Sequence, residues 1–144
     1  MTETAQLVIT RIFDAPRAMV YRAFVDPDQL ARWFGPVGWT VPRETVSIDA
    51  RPGGHQRFVM VNEEDPARTS PANGTFVEVR ENELLVGEEV VGDVTMRLRL
   101  EFSDEPDGRT RLVLTQGPFP PAVEPNARAG WNSSFTKLDK LVAG

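Results

Sequence analysis

Apolar residues alternate with polar ones over most of the chain and recur in three- and four-residue steps over the rest. The first alternating run, "QLVITRIF", predicts a strand that carries Leu7, Ile9 and Phe13. Pro16 suits a first helical turn, and Val20, Ala23 and Phe24 then keep the i, i+3, i+4 spacing of a helix. A second short helix follows in "DPDQLARWFGP". Asp26 can cap it, Pro27 fits its first position, and Leu30, Trp33 and Phe34 form its apolar side. Gly35 and Pro36 stop it.

From Thr45 the period changes to two. Val46 and Ile48 alternate with Ser47 and Asp49 ahead of the turn "RPGG", and "HQRFVMV" is the next strand. The polar stretch "NEEDPARTSPANG" predicts a loop. "TFVEVR" and "LLVGEEVV" predict a hairpin around "ENE". In "DVTMRLRLEF", Val94, Met96, Leu98, Leu100 and Phe102 share one strand face. The turn "DEPDG" leads to "RTRLVLT", with Leu112 and Leu114 on one face, and the Pro-rich "QGPFPPAVEP" predicts a link.

The chain closes on "RAGWNSSFTKLDKL". At 100° per residue this places Trp131, Phe135, Leu138 and Val142 on one stripe, with Ala127, Ser134 and Leu141 on its shoulder. Asn132, Thr136, Asp139 and Lys140 take the far side. Gly130 lies towards the shoulder, although a helical glycine costs about 1 kcal/mol relative to alanine. Two arrangements fit. Either the small residues permit a close helix–sheet contact, or the large ones grip while the small ones leave space.

One strand, two short helices, about six antiparallel strands and a long helix make an α+β chain with helices on one face of a single sheet. Such a sheet curls, and the last helix can fill its concave side.

Four stretches carry a family resemblance. "FDAPRAMVYRAFVDPDQLARWFGPVGWTV", "DARPGGHQRFVM", "GTFVEVRENELL" and "RAGWNSSFTKLDKL" together resemble the Hsp90-ATPase-activator-like family of the START-like, helix-grip (SRPBCC) superfamily. The resemblance covers essentially the whole chain and implies a single domain over residues 1–144. It implies a curved antiparallel sheet of about seven strands around a long C-terminal helix, with two short helices after the first strand and an apolar cavity beneath. It does not imply one activity, because relatives of this fold include lipid carriers, ligand sensors, cyclases and chaperone cofactors.

Composition narrows the chemistry. Forty per cent apolar and 26% charged residues are those of an ordinary globular chain. A net charge of −5 argues against a nucleic-acid partner, which needs a basic face. No apolar run approaches the roughly 20 residues of a membrane span, so membrane insertion is not expected. The opening "MTETAQLVIT" has neither a basic n-region nor a long apolar h-region, so the expectation is a cytoplasmic chain without a cleaved signal. With no cysteine and one histidine, thiolate zinc sites, Cys nucleophiles and His-rich metal sites drop out. No metal or cofactor is expected.

In the helix-grip frame Trp131, Phe135 and Leu138 face the groove, with Ser134 beside them. Trp33, Phe34 and Trp39, gathered in "WFGPVGW", either plug one end of the core or form a pocket mouth, with Gly35 and Gly38 permitting movement. Phe58 with Met60, and Met96 with Leu98, are cavity lining or ordinary core. Glu78 shares a strand face with Phe76. The resemblance turns that face inward, where a carboxylate could orient a polar ligand end or act as an acid/base. The opposite reading buries Val77 and Val79 and leaves Glu78 in water.

His55 begins a strand without the Asp or Ser arrangement of a triad, and a solvent-exposed strand end is the expectation. The run Glu63, Glu64, Asp65 lacks EF-hand spacing and reads as a solvated loop. The favoured function is non-enzymatic binding of a small apolar or amphipathic molecule. The alternatives are a cyclase- or hydratase-like enzyme using Glu78, and a protein-interaction module. Chaperone activators pair this domain with another, so a chaperone partner is not expected here; a homodimer stays open.

Overall fold

The computed structural model describes residues 4–143, so Met1–Glu3 and Gly144 of the expected domain lie outside the described residues. Along the chain run β1 (Ala5–Phe13), α1 (Arg17–Val25), α2 (Pro27–Trp33), β2 (Trp39–Thr40), a 3-10 turn (Arg43–Thr45) and β3 (Ser47–Ile48). Then follow β4 (His55–Asn62), β5 (Thr69–Arg80), β6 (Leu84–Val91), β7 (Val94–Asp104), β8 (Thr110–Phe119) and α3 (Glu124–Ala143). The strands form one antiparallel sheet in the order β1-β8-β7-β6-β5-β4-β2, with β3 also paired to β4. The expected sheet of about seven strands is present, and it counts eight because β2 and β3 are separate two-residue pieces laid on β4.

The two short helices are held by their junction. The Asp26 carboxylate accepts from the backbone N–H groups of Asp28 (2.9 Å) and Gln29 (3.3 Å), and Pro27 opens α2. Pro27 has no N–H to offer the Ala23 carbonyl four residues earlier. Trp33 Nε1 donates to that carbonyl instead, at 2.9 Å, from a fully buried side chain. The same indole meets Phe24 edge-on at 4.9 Å, so one residue both packs α2 on α1 and satisfies a helix end.

α3 packs against β1, α1 and α2. Phe135 and Leu138 are fully buried, and Phe135 meets Phe13 of β1 edge-on at 5.5 Å. Arg11 pairs with Asp139, and the Arg128 guanidinium donates to the Val8 carbonyl at 2.9 Å. These contacts tie α3 to the β1 edge.

Two expected connections are partly strand or helix. The polar stretch after β4 turns into β5 at Thr69, and the Pro-rich link contributes Gln116–Phe119 to β8 and Glu124–Pro125 to α3. Pro71 argues against a strand only if its nitrogen must donate to a neighbour. Thr69–Thr75 register on β4, whereas β5 registers on β6 only from Thr75. Asn73 donates its N–H to the Glu89 side chain, so the nitrogen of Pro71, two residues away, faces the same unpaired side. On the facing strand, Glu89–Val91 register on β7 alone. The sheet therefore forks between β5 and β6.

Candidate functional site

Residues directly opposite one another in an antiparallel ladder share a sheet face. Leu85 opposes Leu100, Leu100 opposes Leu114, and Leu98 lies between Gly87 and Gln116. Further across, Phe76 opposes Gly87, Phe58 opposes Ala72, and Gln56 opposes Gly74. The floor thus holds large residues at Phe58, Phe76, Leu98 and Leu100, but only hydrogen or methyl at Gly74, Gly87 and Ala72. α3 crosses above with Ala127, Gly130, Trp131 and Ser134. A cavity of about 520 Å3 remains between them.

The glycines shape that space. A Cβ on Gly130 would meet nothing within 4 Å, and one on Gly87 would meet only the Thr75 carbonyl oxygen, at 3.4 Å. On one wall stand Phe34, Gly35 and Pro36. Gly35 adopts φ +98°, and a Cβ there would touch Met60 Sδ at 3.4 Å. Phe34 joins this wall to the floor and the helix, its ring centroid 4.6 Å from Phe58 and 5.5 Å from Trp131. The segment is also tied upward. Val37 N–H donates to Ser133 Oγ at 2.9 Å, and Lys137 Nζ donates to the Trp39 carbonyl at 3.2 Å. Burial holds the Lys137 ammonium below the usual lysine range, with Glu63 pulling the other way.

Eight of the residues singled out from the sequence line this cavity: Phe34, Phe58, Met60, Phe76, Met96, Leu98, Trp131 and Ser134. Trp33, Phe135 and Leu138 do not; they are fully buried in the packed core beneath. Trp39 stands outside the lining, with the Arg68 guanidinium 5.6 Å from its ring centroid. Trp131 is only partly buried, and its Nε1 donates to Gln116 Oε1 at 2.8 Å. Phe135 and Leu138 anchor the helix; Trp131 spans the hollow.

Glu78 does not face the cavity. A β-bulge shifts the β5–β6 register between Phe76 and Glu78, so the parity that joins them by sequence is broken. Val79 packs on the core instead, and Glu78 pairs with Arg80 at 2.9 Å, its side chain 42% exposed. The inward carboxylate is Glu89. It opposes Met96 and shares a face with Leu85 and Gly87. The alternation Leu85, Gly87, Glu89 within "LLVGEEVV" carries that signal, which the bulge in β5 does not disturb. Gln116 also lines the floor, in the stretch expected to be a link.

His55 lies away from the cavity lining, its Nε2 2.7 Å from Ser47 Oγ across the β3–β4 pair. This Ser–His contact is exposed, so it lacks the sheltered setting of a nucleophile. Among the described residues no group of three or more His, Asp or Glu is arranged to hold a metal. No described helix is long and apolar enough to cross a membrane.

A curved antiparallel sheet gripping a long C-terminal helix, with a hollow between them, defines the helix-grip class. The profile of the activator of Hsp90 ATPase homolog 1-like family matches residues 14–143, and the chain belongs to that family. Protein CV1439 from Chromobacterium violaceum is similar at 26% identity, covering 96% of this chain and 97% of its own, with a TM-score of 0.85. Protein NE0264 from Nitrosomonas europaea is 25% identical over 96% of this chain and 94% of its own, with a TM-score of 0.82. The likeness to the AHSA1 protein from Silicibacter pomeroyi is one of fold, at 24% identity, coverage of 96% and 98%, and a TM-score of 0.80. No curated protein matches the chain.

Proposed function

We propose that the protein binds a small apolar or amphipathic molecule between the sheet and α3, without chemical conversion. The cavity of about 520 Å3 carries this reading, since ligand pockets span about 300–1,000 Å3 and are mostly apolar with a few polar groups. The acidic, cysteine-free composition supports action in the cytoplasm. The cyclase-like reading depended on an inward Glu78, and that side chain is outside the cavity.

Native mass spectrometry of freshly purified protein, followed by solvent extraction, tests the proposal. The expected result is a small apolar molecule released from the folded chain, or saturable uptake of the neutral dye Nile red once it is stripped. A protein that releases nothing and takes up no dye has no ligand site.

A further inference from the structure

We propose that the cavity takes an amphiphile whose polar end is cationic, of the alkylamine class, with Glu89 as its counter-ion; this rests on the ligand-binding reading above. The first support is placement. Glu89 opposes Met96 and follows Leu85 and Gly87 along the inward face of β6, which puts its side chain at the open end of the apolar lining. The second is the state of that carboxylate. Its Oε2 accepts from the Asn73 N–H, while Oε1 has no hydrogen-bond partner and no cation pairs with it among the described residues. The neighbouring Glu88 differs. Its charge is met by Arg97, whose guanidinium nitrogens lie 2.7 and 3.0 Å from Oε2.

The third support is what the lining lacks. No Lys, Arg or His contributes to it, and Glu88 turns its side chain to the other face with Arg97, so Glu89 is the one inward charge of the lining. Gln56 and Gln116 supply neutral amides, and Gln116 already accepts from Trp131 Nε1. A fatty-acid head placed here would meet a like charge and no cation. An ammonium head would meet a carboxylate that no cation neutralises, at the open end of the apolar lining, and the charge-assisted contact would favour it over a neutral head.

Three probes of equal chain length separate these cases: dodecylamine, dodecanol and dodecanoate, each below its micelle or solubility limit at pH 7, displacing Nile red from the intact protein. The amine should bind at least about tenfold tighter than dodecanoate, the scale of one charge-assisted contact, with the alcohol between them. Glu89→Gln keeps an acceptor for the Asn73 N–H and should lower amine affinity to that of the alcohol, leaving dodecanol unchanged. Glu64→Gln, the same charge change on an exposed loop, should leave the ranking as it was, which removes general attraction by the acidic surface. Dodecanoate binding as tightly as the amine overturns the inference, as does an amine preference that survives Glu89→Gln. Dye uptake with no ranking overturns this inference alone; no uptake of dye or probe removes the ligand reading as well.

Discussion

Ser134 shows how one small side chain leaves room. It is buried, lines the cavity, and donates its hydroxyl along the helix to the Gly130 carbonyl at 3.0 Å. Ser134→Leu sends three more carbons into open space, so its cost should stay below the roughly 1–3 kcal/mol of an overpacked core. Denaturant unfolding measures that, and Nile red uptake should fall in the same variant. A loss of stability typical of overpacking would show that the space is not available. At this scale Phe58 with Met60, and Met96 with Leu98, share the faces their alternation gives them, although alternation alone left lining and packed core equally open. It failed at Glu78, because a bulge changes parity without leaving a mark in the hydrophobic pattern.

Elements were legible wherever packing follows period. The two short helices and the amphipathic α3 stand where their spacing places them, and the two Pro-containing connections do not. Two of the prolines there satisfy a local rule: Pro71 faces the fork, and Pro125 sits in the first turn of α3, where its missing N–H costs nothing. On α3 itself, Lys137 links the helix to the β2 segment at an electrostatic cost, since burial depresses its pKa. A folded lysine with a lowered pKa binds fewer protons than the unfolded chain between that value and about 10.5, so stability gains with rising pH across this window. Tyr21 acts in the opposite sense, because burial and Glu81 raise its pKa and favour its neutral form in the fold. Subtracting the curves of wild type and Lys137→Met isolates the lysine. Below the window the variant should be at least as stable, and its advantage should shrink as pH approaches 10.5. An advantage independent of pH would assign the effect to packing instead.

On the scale of the molecule, the family match accounts for the architecture, but the hollow comes from particular small residues, Gly74, Gly87 and Gly130, set among large ones. A lone glycine in a strand or helix pattern does not disclose whether a neighbour fills its space. The fork in the sheet has a further effect on how copies of the chain treat one another. Two stretches of strand separated by a gap form a template onto which an extended segment of another molecule can add. Pro71 offers no donor there, and the Glu89 carboxylate occupies the N–H of Asn73 while presenting charge to any incoming backbone. These two features would oppose such an addition. Restoring both donors, in a Pro71→Thr, Glu89→Ala double variant, should shift the protein towards larger species than the parent at equal concentration in light scattering coupled to size exclusion. Identical profiles would mean the fork needs no such protection, whereas growth of high-mass species on standing would mark Pro71 and Glu89 as gatekeepers against fibrous assembly.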